Sequence, residues 1–164
     1  AWADDLNTKR GPRRPTSKQE VYAEQATWIA AHPQEEIVLQ TIGIGDLAIT
    51  AIPNEVYGIT GLKLKAQSPF KVTFNMSLAN GAAGYIPPPE QHYLGGYTTW
   101  PARTAGLATT AEPQIVETLL GLLETLSGQK RKPLTTDFYN EEQRTAIEKA
   151  KADENNRVNR GVMK

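Results

Sequence analysis

Apolar and polar positions along the chain form a pattern that predicts three β-strands. Residues 36–52 contain two stretches rich in β-branched side chains, joined around Gly43, Gly45 and Asp46, which predicts a β-hairpin. Residues 70–80 alternate and then become continuously apolar or small. That pattern is typical of a strand that enters a buried sheet.

Helical signals surround these strands. Thr16 or Ser17 is positioned to cap a helix that runs to about Ala31. Asn54 is expected to cap a second helix that ends near Gln67. The clearest helix opens near Pro113 and ends at Gly128, and its core-facing residues are Ile115, Val116, Leu119, Leu120, Leu122, Leu123 and Leu126. The fold class is therefore predicted to be α/β, with α+β as the alternative.

The two ends of the chain differ from its middle. Residues 1–16 are polar and broken by glycine and prolines, which predicts an extended lead-in. Residues 129–164 are highly charged, with one helix expected from about Asn140 to Asp153. This tail is expected to lie on the surface or to wrap another chain. Residues 17–128 are then the folded part.

Composition excludes several classes of protein. The 164 residues are 39% hydrophobic and 22% charged, as in ordinary globular proteins. Lys and Arg total 18 against 18 Asp and Glu, so no global positive field favours a nucleic acid or an anionic membrane. The absence of cysteine excludes thiolate zinc sites and cysteine nucleophiles. No apolar run approaches the roughly 20 residues that span a bilayer. The polar start lacks the apolar h-region of a signal peptide, which is compatible with a leader lost from an exported precursor.

Glu55 is the first candidate for chemistry. It follows a predicted strand and a Pro-Asn pair at the start of a predicted helix, a common place to present a ligand. The helix dipole alone also favours an acidic residue in the first turn, by about 0.3–1 kcal/mol. Taken in isolation, the dipole is the better explanation of Glu55.

A loop dense in Gly, Pro and Tyr follows the strand at residues 70–80. Its phenols, Tyr85, Tyr93 and Tyr97, are placed to line a pocket, donate hydrogen bonds or bind a metal, although such a cluster more often packs a loop against the core. His32 and His92 are the only histidines, so no His-x-His or His-Glu-x-x-His motif exists in this chain. Both are expected to be surface or loop residues.

The order of these motifs carries a family resemblance. Pro53-x-Glu55 is followed by Asn80-x-x-x-x-Tyr85, within LANGAAGYIP, and then by Glu90-x-x-Tyr93-x-x-x-Tyr97, whose last residues are GGY. This arrangement resembles the neutral, non-lysosomal ceramidase family, and it is most similar to the shorter bacterial ceramidase-like proteins. The resemblance extends over residues 13–128 and is most specific over residues 78–97.

The resemblance implies a zinc-dependent hydrolase that cleaves the amide of an N-acylsphingosine or a related lipid amide. It implies that Glu55 and Tyr85 are zinc ligands and that Tyr97 lies beside the substrate. Tyr85 is also a catalytic candidate, because a loosely held phenol is able to leave the metal and donate a hydrogen bond to an oxyanion. Tyr93 matches a position with a structural role only. An exported protein, periplasmic or secreted, is expected.

Two departures limit what this chain does alone. The family's two histidine ligands lie upstream of Glu55, in sequence that this chain does not contain, so the resemblance predicts a partner chain or upstream fragment that carries them. The 17–128 segment then corresponds to the C-terminal part of a catalytic domain. Thr98 stands where the family commonly has an acidic residue. The alternative is a non-catalytic binding or structural protein that keeps the fold without a complete metal site.

Overall fold

A computed structural model describes residues 1–159, with side chains described to residue 155. The described residues have a mixed α/β fold. The helices are α1 Trp2–Arg10, α2 Lys18–Ala31, α3 Gly58–Gln67, α4 Pro89–Leu94, α5 Ala111–Ser127 and α6 Glu141–Asn159. The strands are β1 Gln40–Ile44, β2 Leu47–Ala51, β3 Glu55–Val56, β4 Val72–Met76 and β5 Tyr85–Ile86. The predicted α/β class is thus confirmed.

The main sheet has three strands in the order β1-β2-β4. β1 and β2 form the predicted antiparallel hairpin, and Gly45 takes a positive φ of 57° at its turn. β2 continues through α3 into β4, which pairs with β2 in parallel. A second, two-stranded parallel sheet joins β3 to β5.

α5 supplies most of the core. Five of its predicted core residues are buried: Ile115, Val116, Leu119, Leu120 and Leu123. They pack in one cluster with Ala48, Ile52, Leu64 and Ile86, which joins the helix to the sheet. The prediction is wrong for Leu122 and Leu126, which are 37% and 47% exposed. Two apolar positions therefore extend past the buried stripe of the helix.

A buried ion pair joins α3 to α5. Glu112 is 1% exposed, and its carboxylate accepts hydrogen bonds from Lys63 Nζ, at 3.0 Å to Oε1 and 3.1 Å to Oε2. The Thr60 hydroxyl also donates to Glu112 Oε1, at 2.9 Å. These bonds satisfy a charge that would otherwise be costly to bury.

The first residues do not form the extended lead-in expected over residues 1–16, because residues 2–10 form α1. Acidic residues at the start of α1 and basic residues at its end complement the helix dipole. The Asn7 amide donates to Ala23 O at 3.1 Å and to Thr27 Oγ1 at 2.9 Å, which joins α1 to α2. α2 itself is as predicted, with Ser17 as its N-cap.

β4 is not the buried strand that its apolar sequence predicts. It forms an edge of the sheet, and Val72, Phe74 and Met76 are 57%, 39% and 48% exposed. Only the alternate residue Thr73 is buried, at 8% exposure. The apolar side chains of β4 therefore share one face of the sheet, which the described residues leave exposed, and the alternate polar side chains face the helices.

The tail after Gly128 contains one helix, as predicted, but α6 extends to Asn159 rather than Asp153. Asn140 and Gln143 begin it with reciprocal side-chain to backbone bonds of 2.8 and 2.9 Å. α6 packs against α4, and its Ile147 is 4% exposed. Much of the tail thus lies on this chain's own surface. The final part of the predicted tail, residues 160–164, lies outside the described residues.

Candidate functional site

The candidate site lies where β2 and β4 end. Because these strands are parallel, their carboxyl ends meet at the same edge of the sheet, where α/β proteins commonly bind ligands. The two exits are joined by bonds of 3.0 Å from Ile52 N to Met76 O and from Leu78 N to Asn54 O. Leu78 adopts a positive φ of 54°, which a bulky side chain seldom does. The chain is thus sharply turned beside the site.

Asn54 anchors the loop that follows β4. It was expected to cap a helix, but it is fully buried and its amide donates to Ala83 O at 2.7 Å. α3 instead begins at Gly58, with Tyr57 as its N-cap. Glu55 therefore lies in β3 and not in a first helical turn. The helix-dipole explanation of this carboxylate does not apply to the folded chain.

Gly84 brings the backbone of β5 into place beside β3. Glu55 N donates to Gly84 O at 2.9 Å. Gly84 has a φ of +77°, and a Cβ atom at this position would lie 2.5 Å from Thr104 O. Only glycine fits this conformation and this close approach. The residue next to Tyr85 is therefore constrained by packing as well as by hydrogen bonding.

The structure brings Glu55, Tyr85 and Tyr97 together, although they come from three separate segments. Glu55 and Tyr85 are directly opposite each other in the β3–β5 bridge. The rings of Tyr85 and Tyr97 meet edge to face, with 5.4 Å between their centroids and 89° between their planes. Glu55 is exposed, Tyr85 is half-buried and Tyr97 is 63% exposed, so the cluster faces solvent.

The surroundings of Tyr85 favour its neutral phenol. Its pKa is raised above 10.0, first by hydrogen bonding with Tyr97, then by partial burial, and also by the negative charge of Glu55. Each effect disfavours the phenolate. At neutral pH, Tyr85 is therefore a hydrogen-bond donor. A cation bound between Tyr85 and Glu55 would oppose the effect of the carboxylate.

Tyr57 and Thr98 form a contact that the sequence patterns do not identify. The Tyr57 hydroxyl and Thr98 Oγ1 are 2.6 Å apart, and Thr98 is 7% exposed. This bond fixes the short 3-10 turn Tyr97–Thr99 against the N-cap of α3, and so it holds the backbone of Tyr97. No local signal marks this pair, because the residues are far apart in the chain.

Tyr93 and Glu90 lie on α4, on the side that α6 covers. Lys151 Nζ lies 5.9 Å above the centre of the Tyr93 ring. Burial, followed by the charge of Glu90, raises the pKa of Tyr139 to about 12. These contacts join α4 to the tail, in keeping with a structural role for Tyr93.

The two histidines of the chain do not form a metal site with the acidic residues. His32 stacks on the Trp28 ring at 4.1 Å, and its Nδ1 lies 2.8 Å from Trp28 O. Across residues 1–159, no group of three or more His, Asp or Glu side chains is arranged to hold a metal ion. Glu55 and Tyr85 are oxygen donors that fit zinc in part, because zinc accepts carboxylate oxygen alongside imidazole nitrogen. Glu55 and Tyr85 thus have the residue types of two of the four ligands that the resemblance implies.

A large cleft on the described surface lies elsewhere. It has a volume of about 920 Å³ and is bordered by the end of α2, the segment before β1 and the start of α5. Ala82 and Ala83 form part of its wall, whereas Glu55, Tyr85 and Tyr97 do not. The cleft therefore approaches the β5 backbone without containing the candidate site.

Comparisons with known proteins add no identification. None of the described helices is long and apolar enough to cross a membrane. No protein-family model matches the chain. No curated protein matches it significantly either.

Proposed function

We propose that this chain is part of a zinc-dependent hydrolase that cleaves the amide of an N-acylsphingosine or a related lipid amide. The observation that carries the proposal is the convergence of Glu55, Tyr85 and Tyr97 at the carboxyl end of the parallel strands. The family resemblance assigns roles to these three residues from sequence order alone. Their proximity in the fold is what a shared site requires.

Each residue has a role that matches its surroundings. Glu55 would hold the metal with one carboxylate, at a position open to solvent. Tyr85 would be the second oxygen ligand, and as a neutral phenol it would donate to an oxyanion when it leaves the metal. Tyr97 is the more exposed phenol and would donate from the substrate side. Zinc, when bound, supplies a Lewis acid that polarises the amide carbonyl and acidifies water.

A partner polypeptide completes the proposed site. It would be an upstream fragment or a separate chain that contributes two imidazole ligands, so the chain alone would be inactive. Such a protein would work in the periplasm or after secretion, as the family resemblance implies. The proposal therefore concerns a heteromeric complex, and its tests use the complex with the partner retained.

The decisive experiment measures zinc in the purified complex. We expect about one zinc per complex by elemental analysis, and loss of most of it in the Glu55→Gln variant, because a neutral amide is a poor substitute for a carboxylate ligand. The Tyr85→Phe variant should keep the fold and lose most turnover of an N-acylsphingosine. A metal-free complex that contains both imidazole ligands would overturn the proposal.

Tyr93→Phe is the matched control. It makes the same chemical change within the same loop region, but on a residue that lies against α6. Zinc content and turnover should stay close to those of the unmodified complex. Equal losses in Tyr85→Phe and Tyr93→Phe would point to a general effect of the loop and contradict the assigned roles.

A non-catalytic binding or structural protein is the second candidate. The observation that favours it is Thr98, which is buried and bonded to Tyr57 at a position where the family commonly has an acidic residue. In that case the site region would keep its framework without metal. Zinc content separates the two candidates, because only the hydrolase requires a metal in the complex.

A further inference from the structure

A single hydroxyl bridges the two peptide groups that flank Glu55. Ser77 Oγ donates to Asn54 O at 2.8 Å, and Val56 N donates to Ser77 Oγ at 3.3 Å. Asn54 O belongs to the peptide group before Glu55, and Val56 N belongs to the peptide group after it. A serine hydroxyl is able to donate and accept at the same time. Ser77 uses both capacities across one residue of the candidate site.

The bridge lies on the edge of β3 that faces away from β5. In an extended strand, the carbonyl before a residue and the N–H after it point to the same edge, whereas the residue's own N–H and carbonyl point to the other. Glu55 N donates to Gly84 O at 2.9 Å on the β5 edge. Since Ser77 bonds the opposite edge, the backbone of Glu55 is held from both sides. The hydroxyl thus stands where a neighbouring strand would bond.

The turn that delivers Ser77 has an unfavourable backbone conformation. β4 ends at Met76, and Leu78 has a φ of 54°. Leu78 is 51% exposed, so its side chain buries little surface that would offset this conformation. Residues held in such conformations are common at functional sites, where the surrounding contacts impose them. Here the turn brings the Ser77 hydroxyl and the Leu78 N–H to the same acceptor, Asn54 O, at 2.8 and 3.0 Å.

The bonds of Ser77 differ from those of an ordinary turn serine. Serine hydroxyls that stabilise turns bond to backbone groups within about four residues. The two groups that Ser77 contacts are 23 and 21 residues away in the chain. Ser77 is also exposed, so it does not belong to the core. Its hydroxyl therefore connects the exit of β4 to the backbone on either side of Glu55.

We propose that Ser77 is a positioning residue for Glu55, whose backbone its hydroxyl fixes so that the carboxylate is held beside the Tyr85 phenol. The proposal rests on the proposed function for the metal that Glu55 would bind. The position of Glu55 relative to Tyr85 is a property of this chain alone, and it is measured without a metal.

The first test titrates Tyr85 in the full chain. Ser77→Ala removes both bonds and allows the Glu55 carboxylate to move away from the phenol. Because the charge of Glu55 helps to raise the pKa of Tyr85, this pKa should fall, by less than in Glu55→Gln. Ultraviolet difference titration against Tyr85→Phe measures the shift. Ser77→Thr keeps the hydroxyl and should restore the titration of the unmodified chain.

A double variant separates positioning from a general loss of structure. Glu55→Gln leaves no carboxylate at position 55, so the addition of Ser77→Ala should not shift the pKa of Tyr85 further. Ser127→Ala is the matched control, because the Ser127 hydroxyl also bonds backbone groups, at 3.1 and 3.3 Å, at the end of α5. It should leave the titration of Tyr85 unchanged.

Amide hydrogen exchange checks the bridge directly. In the unmodified chain the Val56 amide should be protected from exchange, and this measurement needs no variant. Its exchange should become faster in Ser77→Ala. Circular dichroism should show Ser77→Ala to be folded, because the position is exposed.

The second test measures zinc affinity in the complex with its partner retained. Loss of a group that orients a metal ligand typically weakens metal binding about 10- to 100-fold, and we expect Ser77→Ala to lie in this range. Ser77→Thr and Ser127→Ala should bind zinc as the unmodified complex does.

Five outcomes would contradict the positioning role. They are an unprotected Val56 amide in the unmodified chain, an unshifted Tyr85 in Ser77→Ala, an equal shift in Ser127→Ala, no recovery in Ser77→Thr, and a further shift when Ser77→Ala is added to Glu55→Gln. A shifted titration together with a complex that holds no zinc would overturn the proposed function alone. Zinc loss in Glu55→Gln together with an unshifted Tyr85 in Ser77→Ala would overturn this inference alone.

Discussion

Glu55 and Tyr85 are directly opposite each other in a two-residue parallel bridge, which places a carboxylate beside a phenol at the exit of the main sheet. The negative charge of Glu55 is one of the causes that hold the pKa of Tyr85 above 10.0. Glu55 and Tyr85 are therefore electrostatically coupled without a bound metal.

The coupling predicts the titration of Tyr85. Glu55→Gln should lower the pKa of Tyr85 towards its ordinary value, because the neutral amide no longer repels the phenolate. Ultraviolet difference titration against Tyr85→Phe isolates this phenol from the other five tyrosines. Asp46→Asn, which removes a carboxylate at the opposite end of β2, should leave the titration unchanged. An unshifted Tyr85 in Glu55→Gln would contradict the coupling.

Gly84 should tolerate no side chain. Gly84→Ala requires a positive φ and brings Cβ within 2.5 Å of Thr104 O, so we expect the free energy of unfolding to fall by about 2 kcal/mol or more. Urea denaturation measures the change. Gly121→Ala is the matched control, because that helical position has open space around it and alanine should stabilise it by about 0.8–1 kcal/mol.

The ion pair between Lys63 and Glu112 should be costly to break from one side. Lys63→Met leaves a carboxylate that is 1% exposed without its cation, and the expected loss of stability is about 3–5 kcal/mol. Replacing both residues, as Lys63→Met with Glu112→Leu, should be less destabilising than Lys63→Met alone. A double variant as unstable as the single one would show that packing, not the unpaired charge, dominates.

Acid should release the segment that follows α5. Hydrogen bonds from Arg131 lower the pKa of Glu124 from 4.5 to about 2. Since the folded value is the lower one, this contribution to stability is present above about pH 4.5 and is lost as the pH falls towards 2. Arg131→Gln should return the pKa of Glu124 towards 4.5, as measured by carboxyl carbon NMR. Glu20, whose pKa of about 2 depends on Arg13, is the internal control and should not change.

Local patterns predicted the helices and strands that depend on nearby residues. The β1–β2 hairpin and α5 follow from side-chain periodicity and turn residues, which act over a few positions. The predicted start of α3 is wrong because the Asn54 amide donates to Ala83 O, across the fold, instead of capping a helix. α1 was missed because its stabilising bonds, from Asn7 to α2, are tertiary.

The sequence by itself determined which residues were candidates: Glu55, Tyr85 and Tyr97. Motif order and residue type are properties of the chain and need no coordinates. Only the tertiary structure decided that these three residues meet, that Asn54 and Gly84 hold them, and that β4 leaves an apolar face open. Pairing between distant strands and the covering of a sheet face depend on non-local contacts, which no local sequence pattern encodes.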